Sequence, residues 1–289
     1  MLARFAVAGL LLVLAGCQSA PPERSSGAQA LQYAASATTE DPRYAAIVVE
    51  ADSGKVLHAV NADQLRYPAS LSKMMTLYLL FEEVESGRFS LNSPLHVSTR
   101  AANQPPSKLG LKAGSTISVA DAIPGIAVKS GNDVAAVVAE NISGSEAAFA
   151  ERMTRTARRI GMQNTIFRNA SGLPDPAQMT TARDMAALAR ALQQRFPRFY
   201  PVFSQRTFTY QGRTYPSTNK LLGKVPGLDG VKTGYIRASG YNLVTSVRRN
   251  GKRLIVVVFG GPTGAARDAQ VTALVDEYLP ERRSWLAFR

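Results

Sequence analysis

The stretch YPASLSKMMT, Tyr67–Thr76, decides how this chain is read. Ser70 stands three residues before Lys73. From there Leu71, Met74, Met75, Tyr78, Phe81 and Val84 recur at helical spacing, and Gly87 is a natural stop. A helix returns to nearly the same face after three or four residues, so a helix opening at Ser70 sets hydroxyl beside amine. That is either a surface coincidence or a nucleophile next to its base. The Ser-x-x-Lys spacing is common by chance, and the chain holds a second instance, Ser217-Thr218-Asn219-Lys220. No amphipathic helix follows that copy, so it is read as a loop.

Working outward, RYAAIVVE and ADSGKVLHAV read as a hairpin around a turn at Asp52-Ser53-Gly54. The middle of the chain is helical in pattern: NDVAAVVAEN, EAAFAERMTRTARRIG and TARDMAALARALQQRF, the last with Thr181 and Asp184 spaced as a capping box. Before Ser130 the text AIPGIAV carries Pro124-Gly125. A proline inside a helix costs about 3 kcal/mol or more, so a kink or a break is expected there. In the last third RTFTY, GVKTGYI, YNLVTSVRR and RLIVVVFGG are strand-like runs, separated by glycine or by the Asn250-Gly251 turn signal. GAARDAQVTALVDEYL closes as a helix. The order predicts an α+β fold: an antiparallel sheet built from N- and C-terminal strands, packed against a helical cluster.

The N-terminus points to a compartment. MLARFAVAGLLLVLAGC has one early cation, Arg4, and an apolar run from Phe5 to Leu14 that is too short to span a bilayer and suits a signal peptide. It ends in Leu14-Ala15-Gly16-Cys17, which resembles the lipobox of bacterial lipoproteins, where the cysteine is acylated after cleavage. An ordinary export signal with a chance cysteine is the plainer alternative. Cys17 is the only cysteine in the chain, so none remains for a disulfide or a thiolate metal site. The segment from Gln18 to Asp41 is small, polar and alanine-rich, and reads as a flexible tether. The expected organisation is a lipoprotein signal peptide over 1–16, a tether over 17–42, a catalytic head over 43–280 and a tail over 281–289. No second β-rich domain is expected. The expected address is the cell envelope, facing the periplasm, with a lipid anchor at Cys17, in the outer membrane if the host is Gram-negative.

The chain has 34 basic against 21 acidic residues, a net charge of +13. Such a charge suits nucleic acid, anionic lipid or a wall polymer. The export signal argues against nucleic acid.

Two further motifs bear on Ser70. Ser130-Gly131-Asn132 lies between helical segments, and by itself is a polar turn. Lys232-Thr233-Gly234 lies in a predicted strand, and by itself is a solvated lysine beside a bulge glycine. All three in this order, each on a suitable element, resemble the penicillin-binding and serine β-lactamase superfamily. The surrounding YPASLSKMMT, VKSGNDVA, NASGLPD, TARDMA and GLDGVKTGYIRASGYNLV are similar to the low-molecular-mass D-alanyl-D-alanine carboxypeptidases, serine peptidase family S11. The likeness runs from about Tyr44 to Gly261.

The chemistry is consistent with that likeness. A serine hydroxyl is a poor nucleophile until a neighbour takes its proton. Histidine is the usual partner, but His58 and His96 are the only two, too few for a convincing triad or zinc site. A lysine can serve if burial and a second cation lower its pKa.

The resemblance implies that Ser70 attacks the peptide carbonyl between two D-alanines and that Lys73 accepts its proton. Ser130 relays a proton to the departing nitrogen, Asn132 binds substrate backbone, and Lys232 with Thr233 holds the terminal carboxylate. Gly234 permits close approach, and the backbone N–H groups of Ser70 and Tyr235 form an oxyanion hole. It implies peptidoglycan stem peptides as substrate, β-lactams as covalent inhibitors, and no metal or other cofactor. The chain departs from the family pattern at Pro124-Gly125, at AQMTTARD, which lacks a histidine common there, and at Tyr235, where several relatives have histidine.

A DD-endopeptidase on cross-linked muropeptides stays open. A β-lactamase is disfavoured because GMQNTIFRNASGLPDPAQM holds no glutamate to activate water. A silent wall-binding module is disfavoured by the intact set of Ser70, Lys73, Ser130 and Lys232.

Overall fold

A computed structural model of the chain describes residues 41–281. The signal segment, Cys17, the tether up to residue 40 and residues 282–289 lie outside the described residues. The hairpin forms as read, with β1 (Ala45–Glu50) and β2 (Val56–Val60) antiparallel. The chain then turns through a 3-10 helix, Ala69–Ser72, into α1 (Lys73–Glu85). A small ribbon of β3 (Pro94–His96) and β4 (Thr116–Ser118) brackets the one-turn α2 (Thr99–Ala102). Next come α3 (Val119–Ala127), α4 (Asn132–Ser143), α5 (Glu146–Arg159) and α6 (Ala182–Arg195). The last third holds β5 (Thr207–Tyr210), β6 (Arg213–Pro216), β7 (Leu228–Ile236), β8 (Gly240–Arg249), β9 (Lys252–Gly261) and α7 (Gly264–Tyr278).

The main sheet is antiparallel in the order β2-β1-β9-β8-β7, so both ends of the chain build it. RTFTY, read as one of the late strands, pairs instead with β6 in a ribbon of its own. The continuous apolar run in β9 follows from burial on both faces. Ile255, Val257 and Phe259 join the large core shared with the helical cluster, whereas Leu254, Val256 and Val258 pack with Val271, Leu274 and Val275 of α7. The result is three layers: helices, sheet, and α7 alone on the far face.

α1 is buried almost all round, from Lys73 through Phe81, as a central helix must be. It packs against α3, α4, α5 and α6. Of the kink or break expected at Pro124, the break does not occur, and α3 runs on to Ala127. Its last carbonyls are put to use: Val128 N–H donates to Pro124 O at 2.9 Å and Gly131 N–H to Gly125 O at 3.0 Å, which ties the Ser130 turn to the helix end. A side chain at Gly125 would press within 3.1 Å of Leu109 and 3.4 Å of Val134, so the glycine lets α3 lie close on α4.

At α6 the Thr181 side chain accepts from Asp184 N–H as a cap should. The return half of the capping box is missing. Asp184 Oδ2 takes Asn164 N–H at 2.8 Å and the Thr165 hydroxyl at 2.6 Å, so it anchors the preceding loop instead.

Candidate active site

Ser70 does not begin an α-helix as expected. It lies in the 3-10 turn Ala69–Ser72, and Lys73 is the first α-helical residue. A 3-10 turn repeats every three residues, so Ser70 and Lys73 eclipse each other more closely than α spacing would allow. Ala69 enters this turn at φ +49° and Ser130 stands at φ +64°. Left-handed backbone at non-glycine residues is costly and collects at functional sites.

Lys73 is fully buried, and three oxygens surround its amine. Its Nζ lies 3.0 Å from Ser70 Oγ, 2.7 Å from Asn132 Oδ1 and 2.5 Å from the Ser171 carbonyl. Burial, and then the charge of Lys232, hold its pKa well below the ordinary lysine value, while Asp133 and Glu146 pull the other way. The Ser171 carbonyl comes from the loop NASGLPD, which crosses directly beneath Ser70. At Gly172 (φ +84°) an added Cβ would fall 1.8 Å from Ala69 O, so only glycine lets the two backbones cross.

Ser130 and Asn132 arrive from the α3–α4 turn. Asn132 is held on three sides: its N–H donates to Ser107 O at 2.6 Å, its Nδ2 to Pro105 O at 2.9 Å, and its Oδ1 receives Lys73. Next to it Asp133 is wholly buried, and its carboxylate accepts the N–H groups of Leu109, Gly110, Leu111 and Val134 at 2.8–3.1 Å. That shell fixes the Pro105–Leu111 loop, which supplies Pro106 and Ser107 to the cleft wall.

The opposite wall is β7. As an edge strand it has backbone groups free of sheet partners. Gly234 lies against the Ser70 turn, where a Cβ would meet Pro68 O at 3.0 Å. Lys232 is buried and donates to Thr233 O at 3.1 Å. Burial and, after it, Arg267 push its pKa down to about 7. Thr233 Oγ1 donates to Thr218 Oγ1 at 2.8 Å. Tyr235 is exposed and leans on Tyr241, ring centres 4.3 Å apart.

Ser70, Ser130, Asn132, Thr233, Gly234 and Tyr235 all line one cleft of about 690 Å³. Lys73 and Lys232 lie buried beneath its floor. The two histidines are elsewhere: His58 is on β2 beside Tyr278, and His96 is on the β3 ribbon.

Several wall residues have no site role in the sequence analysis. Ser217–Lys220 is a loop, as read, but it delivers Thr218 and Lys220 to the wall. Arg267, in the first turn of α7, also reaches the cleft while its guanidinium is buried on Asn242 O and Asp268. Asp268 is the only carboxylate among the wall residues.

Among the described residues no group of histidine, cysteine and acidic side chains has metal-binding spacing, and no helix is long and apolar enough to cross a membrane.

Comparison with known proteins agrees on one family. Residues 33–263 match peptidase family S11, described as D-alanyl-D-alanine carboxypeptidase. D-alanyl-D-alanine carboxypeptidase DacF of Bacillus subtilis is 36% identical over 240 residues, 80% of this chain and 60% of that protein. DacC of Escherichia coli is 37% identical over 245 residues, 81% of this chain and 61% of its own. The chain thus spans about three-fifths of the length of these curated relatives.

Among solved structures, penicillin binding protein 5 from Haemophilus influenzae superposes with a TM-score of 0.78 at 36% identity, covering 81% of this chain and 69% of that one. Penicillin-Binding Protein D2 from Listeria monocytogenes, in its ampicillin-bound form, gives 0.69 at 32%, covering 80% and 95%.

Proposed function

The chain belongs to peptidase family S11, the D-alanyl-D-alanine carboxypeptidases, and from that premise we propose that it is a serine DD-carboxypeptidase. It removes the terminal D-alanine from peptidoglycan stem peptides through an acyl-enzyme on Ser70, and β-lactams acylate the same serine. The observation that carries this reading is the set of three oxygens around Lys73. A neutral amine has two N–H donors and one lone pair. Asn132 Oδ1 and Ser171 O can only accept, so they take the two hydrogens and leave the lone pair facing Ser70 Oγ. Burial beside Lys232 favours that neutral state.

The steps follow from this. As Ser70 Oγ attacks the penultimate carbonyl carbon, its proton passes to Lys73 Nζ. The backbone N–H groups of Ser70 and Tyr235 receive the oxyanion. Ser130 hands a proton to the D-alanine nitrogen as the C–N bond breaks and takes in its place the proton Lys73 received from Ser70, which leaves Lys73 neutral again. Lys232 and Thr233 bind the terminal carboxylate, and that anion raises the Lys232 pKa again, so the lysine is charged when substrate is present. Gly234 keeps β7 close. Asn132 has one amide N–H beyond the Pro105 bond to offer the substrate backbone. Water then attacks the ester, with Lys73 again as base, and frees Ser70.

Incubation with benzylpenicillin, followed by intact-protein mass spectrometry, tests the reading. A long-lived adduct on Ser70, absent from Ser70→Ala, together with D-alanine release from a pentapeptide, is the expected result. No adduct and no D-alanine overturns it. Rapid turnover of the antibiotic instead points to a β-lactamase.

The lipobox-like Leu14-Ala15-Gly16-Cys17 supports an exported lipoprotein, anchored through Cys17 and facing the periplasm. Palmitate labelling that is lost in Cys17→Ala is the corresponding check, and unaltered labelling removes the anchor from the scheme.

A further inference from the structure

Lys73 is held partly from outside the cleft. Its acceptor, the Ser171 carbonyl, follows Ala170, and Ala170 is clamped on both sides. The Thr76 hydroxyl, one turn along α1, donates to Ala170 O at 2.7 Å. On the other side Ala170 N–H donates to Glu146 Oε1 at 3.0 Å. Glu146 opens α5 and is nearly buried. Its second oxygen pairs with Arg100, which also reaches Glu140 at 3.3 Å. Arg100, Glu140 and Glu146 line a surface depression of about 700 Å³ that shares no residue with the cleft.

An acidic residue at a helix start is stabilising by itself. That does not explain why one oxygen is spent on the backbone that receives Lys73. We propose that Glu146, clamped by Arg100, is a positioning residue for Lys73: it fixes the Ala170–Ser171 backbone against α1, which keeps the amine in register with Ser70, and it adds a carboxylate charge to the amine's surroundings. The inference rests on the reading of Ser70 and Lys73 as nucleophile and base.

The charges that face Lys73 are Lys232 from β7, Asp133 from α4 and Glu146 from α5. Those that face Glu146 are Lys73 from α1 and Arg100 from α2, the latter shared with Glu140 of α4. Asp133 already accepts four backbone N–H groups, whereas Glu146 accepts one, from Ala170, and pairs with the exposed Arg100. Removing Glu146's charge therefore makes Lys73 easier to deprotonate, and removing Arg100 unmasks Glu146 and makes it harder. The two changes act in opposite directions on one group.

The test uses the full-length protein and the rate of Ser70 acylation by benzylpenicillin between about pH 4.5 and 9.5. Glu146→Gln keeps an acceptor for Ala170 N–H. Its acid limb is expected to move down by half a pH unit or more, about threefold in rate at a fixed pH on that limb relative to its own plateau. Arg100→Met is expected to move the limb up by a similar amount. Glu146→Ala, which also loses the acceptor, is expected to lose about tenfold in plateau rate, with Gln restoring most of it. Limbs that coincide or move the same way overturn the proposal, and so does a wild-type plateau in Glu146→Ala. A wild-type enzyme that is not acylated at any pH sinks the reading of Ser70 itself, a separable failure.

Discussion

Lys73 makes a shorter contact with Asn132 than with Ser70: its Nζ stands 2.7 Å from the amide oxygen and 3.0 Å from the hydroxyl. The amide aims the amine. It takes a hydrogen, so that the remaining lone pair has one direction left, toward Ser70.

Asn132→Asp tests that aim. A carboxylate in place of the amide oxygen holds Lys73 as an ammonium, raising its pKa by roughly one to three units. Acylation by penicillin at pH 7 is expected to fall by a corresponding factor of roughly ten to a thousand and to recover at higher pH. A rate–pH profile that merely drops without moving would show that Asn132 does not control the lysine.

Lys232 sets a second pH dependence. With a pKa near 7 in the free protein, it is charged below that pH and neutral above it. Carboxylate binding needs the cation, so KM for a peptide ending in a free carboxylate is expected to rise above pH 7, by up to about tenfold per unit. Bound carboxylate restores the charge, so kcat does not share this loss. Binding of a C-terminally amidated peptide, followed by calorimetry, provides the control. Identical pH behaviour of the two peptides would remove Lys232 from carboxylate recognition.

Gly172 and Gly87 separate crowding from backbone strain. Both have positive φ, but a Cβ at Gly172 would overlap Ala69 O, while nothing lies within 4 Å at Gly87. Gly87→Ala should cost about 1 kcal/mol. Gly172→Ala should cost on the order of 4 kcal/mol or prevent folding, since backbone blocks it on the Ser70 side. Thermal melts of the two variants decide, and equal losses would contradict the crossing described here.

Asp133→Asn replaces one carboxylate oxygen with a donor among four backbone donors. The expected loss is on the order of 3 kcal/mol, measured by urea denaturation. A loss below about 1 kcal/mol would mean the loop is held by other contacts.

Much of this was legible in the residues. The apolar runs of β1 and β9 mark a sheet, and Gly87 ends α1 as expected. Ser70, Ser130 and Lys232 were singled out on spacing and order, and the fold brings them to one cleft. Their roles remain the proposal made above.

What escaped has physical causes. Nothing in YPASLSKMMT says that Ala69 takes φ +49°, and the backbone packed against it, at Gly172, comes from a distant part of the chain. Proline at 124 costs α3 one hydrogen bond, but burial against α4 outweighs it. Asp184 fits the capping pattern, yet the nearby Asn164 and Thr165 compete for its carboxylate and win. Arg267 and Glu146 carry no local signal for the site, since Arg267 reaches Asn242 on β8 and Glu146 reaches Ala170 and Arg100 from separate elements.

The sheet also dictates when this protein can fold. Ala45–Glu50 pairs with β2 along one edge, but its other partner is Leu254–Phe259, so a chain made N-terminus first carries a hairpin with an open edge until nearly all of it has emerged. Pairing over such a sequence distance is slow, and the waiting edge invites aggregation. Truncation anywhere before β9 leaves β1 with β2 alone and cuts both off from β8 and β7. The two ends of the chain therefore become one sheet only when β9 takes its place between β1 and β8.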